Sequence, residues 1–402
     1  MVKTKVKTNY LAIITGLLLF VAMQPFYVWH VNNYLKLLIL VAPIVPLIIK
    51  TDFLRNKEAF IIFTIILLLN IVIHGYSLLY SVYLMVFVFV PFGKKDFSRD
   101  AYDAFRKIMA ICFMISLAQW VLYWLGISMP SFYVEPLTEA KPYDYVAYPP
   151  LLVEPNNLLD SFRFLSCFDE PGVVGTICLL ILVAEQYRLN DFFNIVILIA
   201  GVCSFSMFFF GGTLGYFFIK YGLKKPVYIL LFIVALGGVY LATKDNEVLD
   251  ELVYSRFEWD KDKGGFSGDN RFTDNVDAYY NSIKGTSAYY FGLDENKLSA
   301  VVDEGSYGYK IAVMRYGMVF FALYVIFFLW LALKRKLSLI NFCLFAFVLI
   351  ATLYQRPNLY DIVYVFLFAQ IIRNLEEASR KKVVAEATVQ SKQHGIKQYI
   401  HI

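Results

Sequence analysis

Charge is what this sequence has least of. Asp, Glu, Lys and Arg supply 17% of its 402 residues, against roughly a quarter in a soluble domain, which excludes a chain that lives wholly in water. Histidine is scarcer still. His30, His74, His394 and His401 form no metal-ligand pattern, so neither a zinc site nor any other metal or cofactor is expected. The five cysteines, at 112, 167, 178, 203 and 343, show no CxxC and no paired spacing within one loop, which excludes a disulfide framework. Four of them lie in or at apolar runs and read as inert packing residues. No internal repeat of about 20 to 50 residues and no low-complexity tract is present.

What is there is apolar. Hydrophobic residues make up 59% and aromatic residues 18% of the chain, with a mean hydropathy of +0.58. Because roughly 17 to 25 residues suffice for a helical crossing, the runs at 10–23, 35–49, 59–73, 76–92, 108–126, 171–186, 191–205, 208–222, 226–243, 310–333, 338–353 and 359–373 predict an all-α integral membrane protein of about twelve transmembrane helices. The first run follows "MVKTKVKTNY" without a small-residue cleavage site, and is expected to be a retained anchor.

Lys and Arg recur at 50–57, 94–107, 188, 220–225 and 334–336 and in the tail from Arg373. With alternating spans these fall on the side of the N-terminus, so both termini are expected in the cytoplasm. The same rule makes 191–222 cross twice, turning near "CSFSMFF". The expected organisation is therefore five scaffold spans in 1–126, an outer loop at 127–170, four spans in 171–243, a larger outer loop at 244–309, three spans in 310–373 and a basic tail at 374–402. The outer loops are acidic, with seven acidic against two basic residues in the first and fourteen against seven in the second. The net charge of +5 thus belongs to the cytoplasmic side, and no nucleic-acid partner is expected.

Six prolines in 127–170 exclude a long helix and predict an extended surface segment interrupted by turns. Its aromatics, Phe132, Tyr133, Tyr143, Tyr145 and Tyr148, suit either the headgroup level of a membrane or stacking on sugar rings. In the second loop, Val276, Tyr279, Tyr280 and Ile283 recur at helical spacing and predict a short helix near 273–284. "WDKDKGG" has the DxD spacing of a metal-binding sugar-nucleotide site, but nucleotide sugars are cytoplasmic and this loop is external. An EF-hand starting at Asp260 fails because its twelfth position is Arg271.

"SFRFLSCFDEPGVVGT", residues 161–176, sets Arg163, Asp169 and Glu170 just ahead of an apolar run. Pro171 suits a first helical position, and the acids before it meet the positive end of the helix dipole. Arg315 lies inside an apolar run and reads either as a functional cation or as a snorkelling or structurally paired one. Arg163, Arg271, Arg315 and Arg356, the last in the hairpin "YQRPNLYD", share the outer layer, where guanidiniums suit bidentate binding of a diphosphate. Asp303 and Glu304 are either acid/base candidates or solubilising loop charges.

Three segments, "RFLSCFDEPGVVGT", "CSFSMFFFGGTLG" and "DEGSYGYKIAVMRYGMV", together with a long external loop before the last three spans, resemble the O-antigen polymerase and ligase superfamily of bacterial membrane glycosyltransferases (Wzy/WaaL type) over most of 160–373. The resemblance implies a GT-C-like membrane fold with periplasmic loops, seated in the inner membrane. Met207 departs from the Arg usual in the family's turn, and Asp303 and Glu304 stand near where ligases carry His, which favours polymerase over ligase. The implied activity joins undecaprenyl-pyrophosphate-linked oligosaccharide repeat units into O-antigen or a similar surface polysaccharide, with membrane lipids and a chain-length regulator as further partners. Glu170, Asp169 and Arg163 are then the catalytic candidates, with Glu170 as base, and Arg271, Arg315, Arg356, Glu304 and Tyr307 the substrate-binding ones. The rivals are an O-antigen ligase, a lipid-linked oligosaccharide transporter or flippase, and a structural partner protein.

Overall fold

The structure is a computed structural model that describes residues 9–51, 90–136, 145–155, 162–222, 274–301, 308–357 and 361–399 continuously, with isolated positions elsewhere. It is mostly helical. Helix α1 (Tyr10–Ala22) starts where the Asn9 side chain accepts from the Ala12 N–H, and α2 (Asn33–Val41) is capped in the same way by Asn32. Ala42 and Pro43 keep helical dihedrals and lead directly into α3 (Ile44–Ile49). Helix α4 (Lys95–Trp124) is the long one, and α1 packs along it.

Next come three short antiparallel strands, β1 (Phe132–Val134), β2 (Tyr145–Tyr148) and β3 (Leu151–Val153), in sheet order β1-β2-β3. Residues expected on the surface here are inside. Tyr145, Ala147, Leu151, Leu152 and Val153 are buried, because the sheet lies along α4, with Gln119 donating to the Pro149 carbonyl and accepting from the Leu151 N–H. Phe132 and Tyr133 are the exposed aromatics of the segment, and Tyr143 lies outside the described residues.

Helix α5 (Pro171–Ala184) is hydrophobic on every side, and a helix with no polar face belongs at the centre of the packing. Every residue from Val174 to Ala184 is buried. Around it stand α6 (Phe192–Cys203), α7 (Met207–Phe217, continued by a π turn at Phe218–Gly222) and, after the second loop, the last helix of the chain. The chain turns back at 204–206 between α6 and α7, as expected.

The second loop contributes a two-stranded ribbon, β4 (Trp259–Asp260) with β5 (Gly265–Phe266), and helices α8 (Asp274–Ile283), α9 (Ser287–Phe291) and α10 (Glu295–Ser299). The helix predicted near 273–284 is α8, with Val276, Tyr280 and Ile283 turned inward. They form a second core with Leu298 and with Ile311, Val313 and Met314 of α11 (Tyr309–Tyr316). Lys310 Nζ binds Asp277 Oδ1 at 2.5 Å across it. Helices α12 (Met318–Lys334), α13 (Leu339–Gln355) and α14 (Ile362–Tyr399) complete the order.

The expectation of about twelve spans is not supported. Among the described residues only α4 is by itself long and apolar enough to cross a membrane, or two spans if α11 and α12, bent by 112° to each other, count as one. The physical reason is interruption. Gly317, at φ +84°, splits the run expected at 310–333, the run at 35–49 yields only the shorter apolar stretch Tyr34–Ile49, and the runs at 10–23, 171–186 and 191–205 yield helices of 13, 14 and 12 residues, against about 20 for a crossing. The runs expected at 59–73, 76–92 and 226–243 lie largely outside the described residues.

Candidate functional site

Helix α5 has two ends of different character. At its C-terminal end Ala184 O accepts from Asn374 Nδ2, Gln186 Nε2 donates to Asn374 O, and Arg188 bonds Glu185. Arg106 of α4, 5% exposed, reaches in to bind Asp103 and Asp191 at 2.9 Å and Asn194 Oδ1 at 2.7 Å. Arg373, also buried, donates to the carbonyls of Val90, Pro91 and Gly93. Lys220 at the end of α7 meets the same layer through the Gln186 carbonyl.

The N-terminal end lies about 21 Å away, from the rise of a 14-residue helix. Glu170 is extended (φ −143°, ψ 137°), Pro171 opens the helix, and no side chain caps it. The Glu170 carboxylate instead pairs with Nη2 of Arg356. Arg356 ends α13, donating its N–H to Thr352 O, and Pro357 stops the helix there. From a position 186 residues away in sequence the guanidinium thus lies over the first turn of α5. Gly172 leaves room for it: a Cβ there would fall 2.6 Å from Arg356 Nη2, the far end of a flexible side chain, which would have to shift. The pair is open on one side, with 14% of the Arg356 side chain and 39% of the Glu170 side chain exposed.

The turn between α6 and α7 closes in from the other side. A Cβ at Gly175 would lie 2.6 Å from Ser206 Oγ and 3.1 Å from Ser204 Oγ. The Phe164 N–H donates to Cys203 O at 3.0 Å, which fixes the segment carrying half-buried Arg163 beside the same turn. Asp169 contributes its backbone carbonyl as acceptor for the Tyr145 hydroxyl at 3.1 Å.

Below the Arg356–Glu170 pair runs a groove of about 630 Å³ between α7 and α13. Met207, Phe208, Phe347, Ile350 and Ala351 line it, and Tyr354 and Gln355 stand at the end nearest Arg356. Gln355 Oε1 is buried there with no hydrogen-bond partner among the described residues. Tyr354 stacks on Tyr309 (centroids 5.4 Å apart, planes at 24°), which ties the second core to the rim of the groove.

Of the residues expected from sequence, Glu170 and Arg356 are brought into contact, and Arg163 and Asp169 share their segment. Arg315 sits half-buried in the last turn of α11, next to Met314 of the second core. Arg271, Glu304 and Tyr307, as well as Asp303 and Asp262, lie outside the described residues. The groove was missed: its residues are ordinary span residues in sequence, and only Met207, standing where an Arg was expected, marked the place. Among the described residues no group of three or more His, Cys, Asp or Glu gathers to hold a metal. Comparison of the chain with protein-family models, with curated proteins and with solved structures returns no match.

Proposed function

We propose that the chain is a membrane glycosyltransferase that joins undecaprenyl-pyrophosphate-linked oligosaccharide repeat units into a surface polysaccharide, at the outer face of the bacterial inner membrane. The observation that carries this reading is an arginine–carboxylate pair on a helix N-terminus at the end of an apolar groove. A lipid-linked diphosphate has the complementary shape: an apolar tail for the groove, then an anion for a guanidinium and a helix N-terminus, then sugar. The finer membrane arrangement, with several short helices crossing together and both termini inside, belongs to the same proposal.

In this reading Glu170 and Arg356 hold each other in the resting state. An arriving diphosphate takes over Arg356, which frees the Glu170 carboxylate to accept the proton of an acceptor hydroxyl. The hydroxyl oxygen bonds to the anomeric carbon, the bond from that carbon to the diphosphate breaks, and the diphosphate leaves with the electron pair. Arg356 stabilises the charge that develops there. Gln355, next to Arg356 in the chain, lines the groove, and its buried Oε1 would turn outward to accept from a sugar hydroxyl.

The test is gel analysis of surface polysaccharide from cells lacking the gene, complemented with wild type or with Arg356→Ala. Polymerase predicts that the deletion loses the long ladder and keeps a core bearing one repeat unit, and that Arg356→Ala fails to restore the ladder. Loss of the single repeat as well would favour ligation or export and set the polymerase reading aside.

A further inference from the structure

Two of the five cysteines, 55 residues apart in the chain, touch. Cys112 Sγ lies 3.7 Å from Cys167 Sγ. Cys112 is on the face of α4 that also carries Ser116 one turn on, and Cys167 follows Ser166 in the turn that leads to Glu170. That turn is held from three sides. Ser166 O accepts from the Leu152 N–H at 2.6 Å and Cys167 O from the Phe26 N–H at 2.9 Å, while Ser166 Oγ donates to Ser116 Oγ at 3.0 Å. Ser166 itself sits at φ +53°, a conformation a non-glycine residue holds only when its surroundings impose it. The surroundings therefore aim Cys167 at Cys112.

We propose that Cys112 and Cys167 are a reversible disulfide site that staples the Phe162–Glu170 segment to α4. From 3.7 Å the sulfurs must close to about 2.0 Å, which takes rotation of the two side chains with a shift of the turn. The two thiols differ in access: Cys112 is 9% exposed and Cys167 0%, so an oxidant meets Cys112 first and Cys167 resolves the adduct. The oxidant class is a disulfide. Cys112 sulfur, giving up its proton, bonds to one sulfur of the oxidant while the other leaves as a thiol. Cys167 sulfur then attacks Cys112 sulfur, its proton goes to the departing second sulfur, and the oxidant ends as two thiols. Two electrons pass from the cysteine pair to the oxidant. The proposal stands on the contact geometry and does not depend on the glycosyltransferase reading.

The experiment uses the full chain in its own membranes or in detergent, treated with the azo oxidant diamide in the presence of glutathione. Diamide drives the same two-electron step, its N=N bond taking up two protons to become a hydrazine. Remaining thiols are blocked with N-ethylmaleimide under denaturation, and the protein is digested without reductant for peptide mass spectrometry. The expected result is a linked Cys112–Cys167 peptide in most molecules, reversed by dithiothreitol and absent from both Cys112→Ser and Cys167→Ser. Exposed Cys343 takes up glutathione instead and shows that the oxidant acted. The oxidised wild type should also melt on the order of 5 °C higher than the reduced one. Recovery of both Cys112 and Cys167 as maleimide adducts in a sample whose Cys343 carries glutathione would overturn the proposal. So would linkage of either to a different cysteine. Because the wild-type peptide map alone decides between these outcomes, it holds even if a serine variant fails to fold.

Discussion

The two ends of α5 bury comparable polar chemistry and use it in opposite ways. At the C-terminal end Arg106 spends its two terminal nitrogens on three fixed partners drawn from α4 and from the start of α6, and Arg373 is held by three backbone carbonyls. Both guanidiniums are 5% exposed or less. At the N-terminal end Arg356 pairs with the Glu170 carboxylate, over a glycine, and the residues before it line an apolar groove. A buried arginine whose terminal nitrogens are held by several partners is costly to release, whereas one paired with a carboxylate that is 39% exposed exchanges that partner for another anion at lower cost. The first arrangement locks helices together. The second is what a binding site for a mobile anion requires.

The contrast is broken most severely by exchanging its consequences. Arg356→Ala and Glu170→Gln are each expected to lower polymer output at least about 100-fold while shifting stability by about 1–2 kcal/mol, since the carboxylate of the pair is 39% exposed and solvent screens it. Gel ladders together with thermal midpoints in detergent read both quantities from one preparation. Arg106→Ala is expected to do the reverse. It leaves Asp191 and buried Asn194 without their guanidinium, a loss of about 2–4 kcal/mol, with polymer per folded molecule unchanged. If Arg106→Ala abolished polymer at full stability, the lock would be a site and the comparison would fail.

A milder pair of changes sharpens the open end. Gly172→Ala puts a methyl where the guanidinium lies, so Arg356 must shift, and output should fall about tenfold, less than for Arg356→Ala. Ala351→Phe narrows the groove without touching the charge pair. It should raise KM for the lipid-linked substrate about tenfold and leave kcat within about twofold, in a vesicle assay with purified donor. A fall in kcat at constant KM would place the groove outside the binding path.

How much of this was legible in the sequence follows the range of the forces involved. Pro171 after two acids announced the start of α5 because proline geometry and the helix dipole act within a few residues, and α8 was readable from its apolar spacing. Arg356 was a candidate by its place in a hairpin, but its contact with Glu170 joins two segments whose separation carries no local signal. The Cys112–Cys167 contact was hidden in the same way, so the reading of inert packing cysteines could not see it. Helix lengths misled for a different reason: hydropathy runs smoothly through Gly317, whereas the backbone breaks there. The strands β2 and β3 looked like surface because the prolines around them exclude helix, yet pairing satisfies their backbone groups well enough for Tyr145, Ala147 and Leu151–Val153 to pass inside.

The smallest expected effect tests how far the open end is held by the scaffold beneath it. Tyr145 is buried, its ring set against Trp29, and its hydroxyl donates to the Asp169 carbonyl one residue before Glu170. Tyr145→Phe keeps the ring and its packing and removes that one bond, which should cost about 1 kcal/mol. If the bond only adds stability, polymer output per folded molecule stays at the wild-type level. If it also positions Glu170, output falls about two- to fivefold at a midpoint barely changed, and ladder length shortens with it. A reduction as large as that of Glu170→Gln would mean that the carboxylate is placed by the sheet and not by the Arg356 pair, and the open end would have to be redrawn around Tyr145.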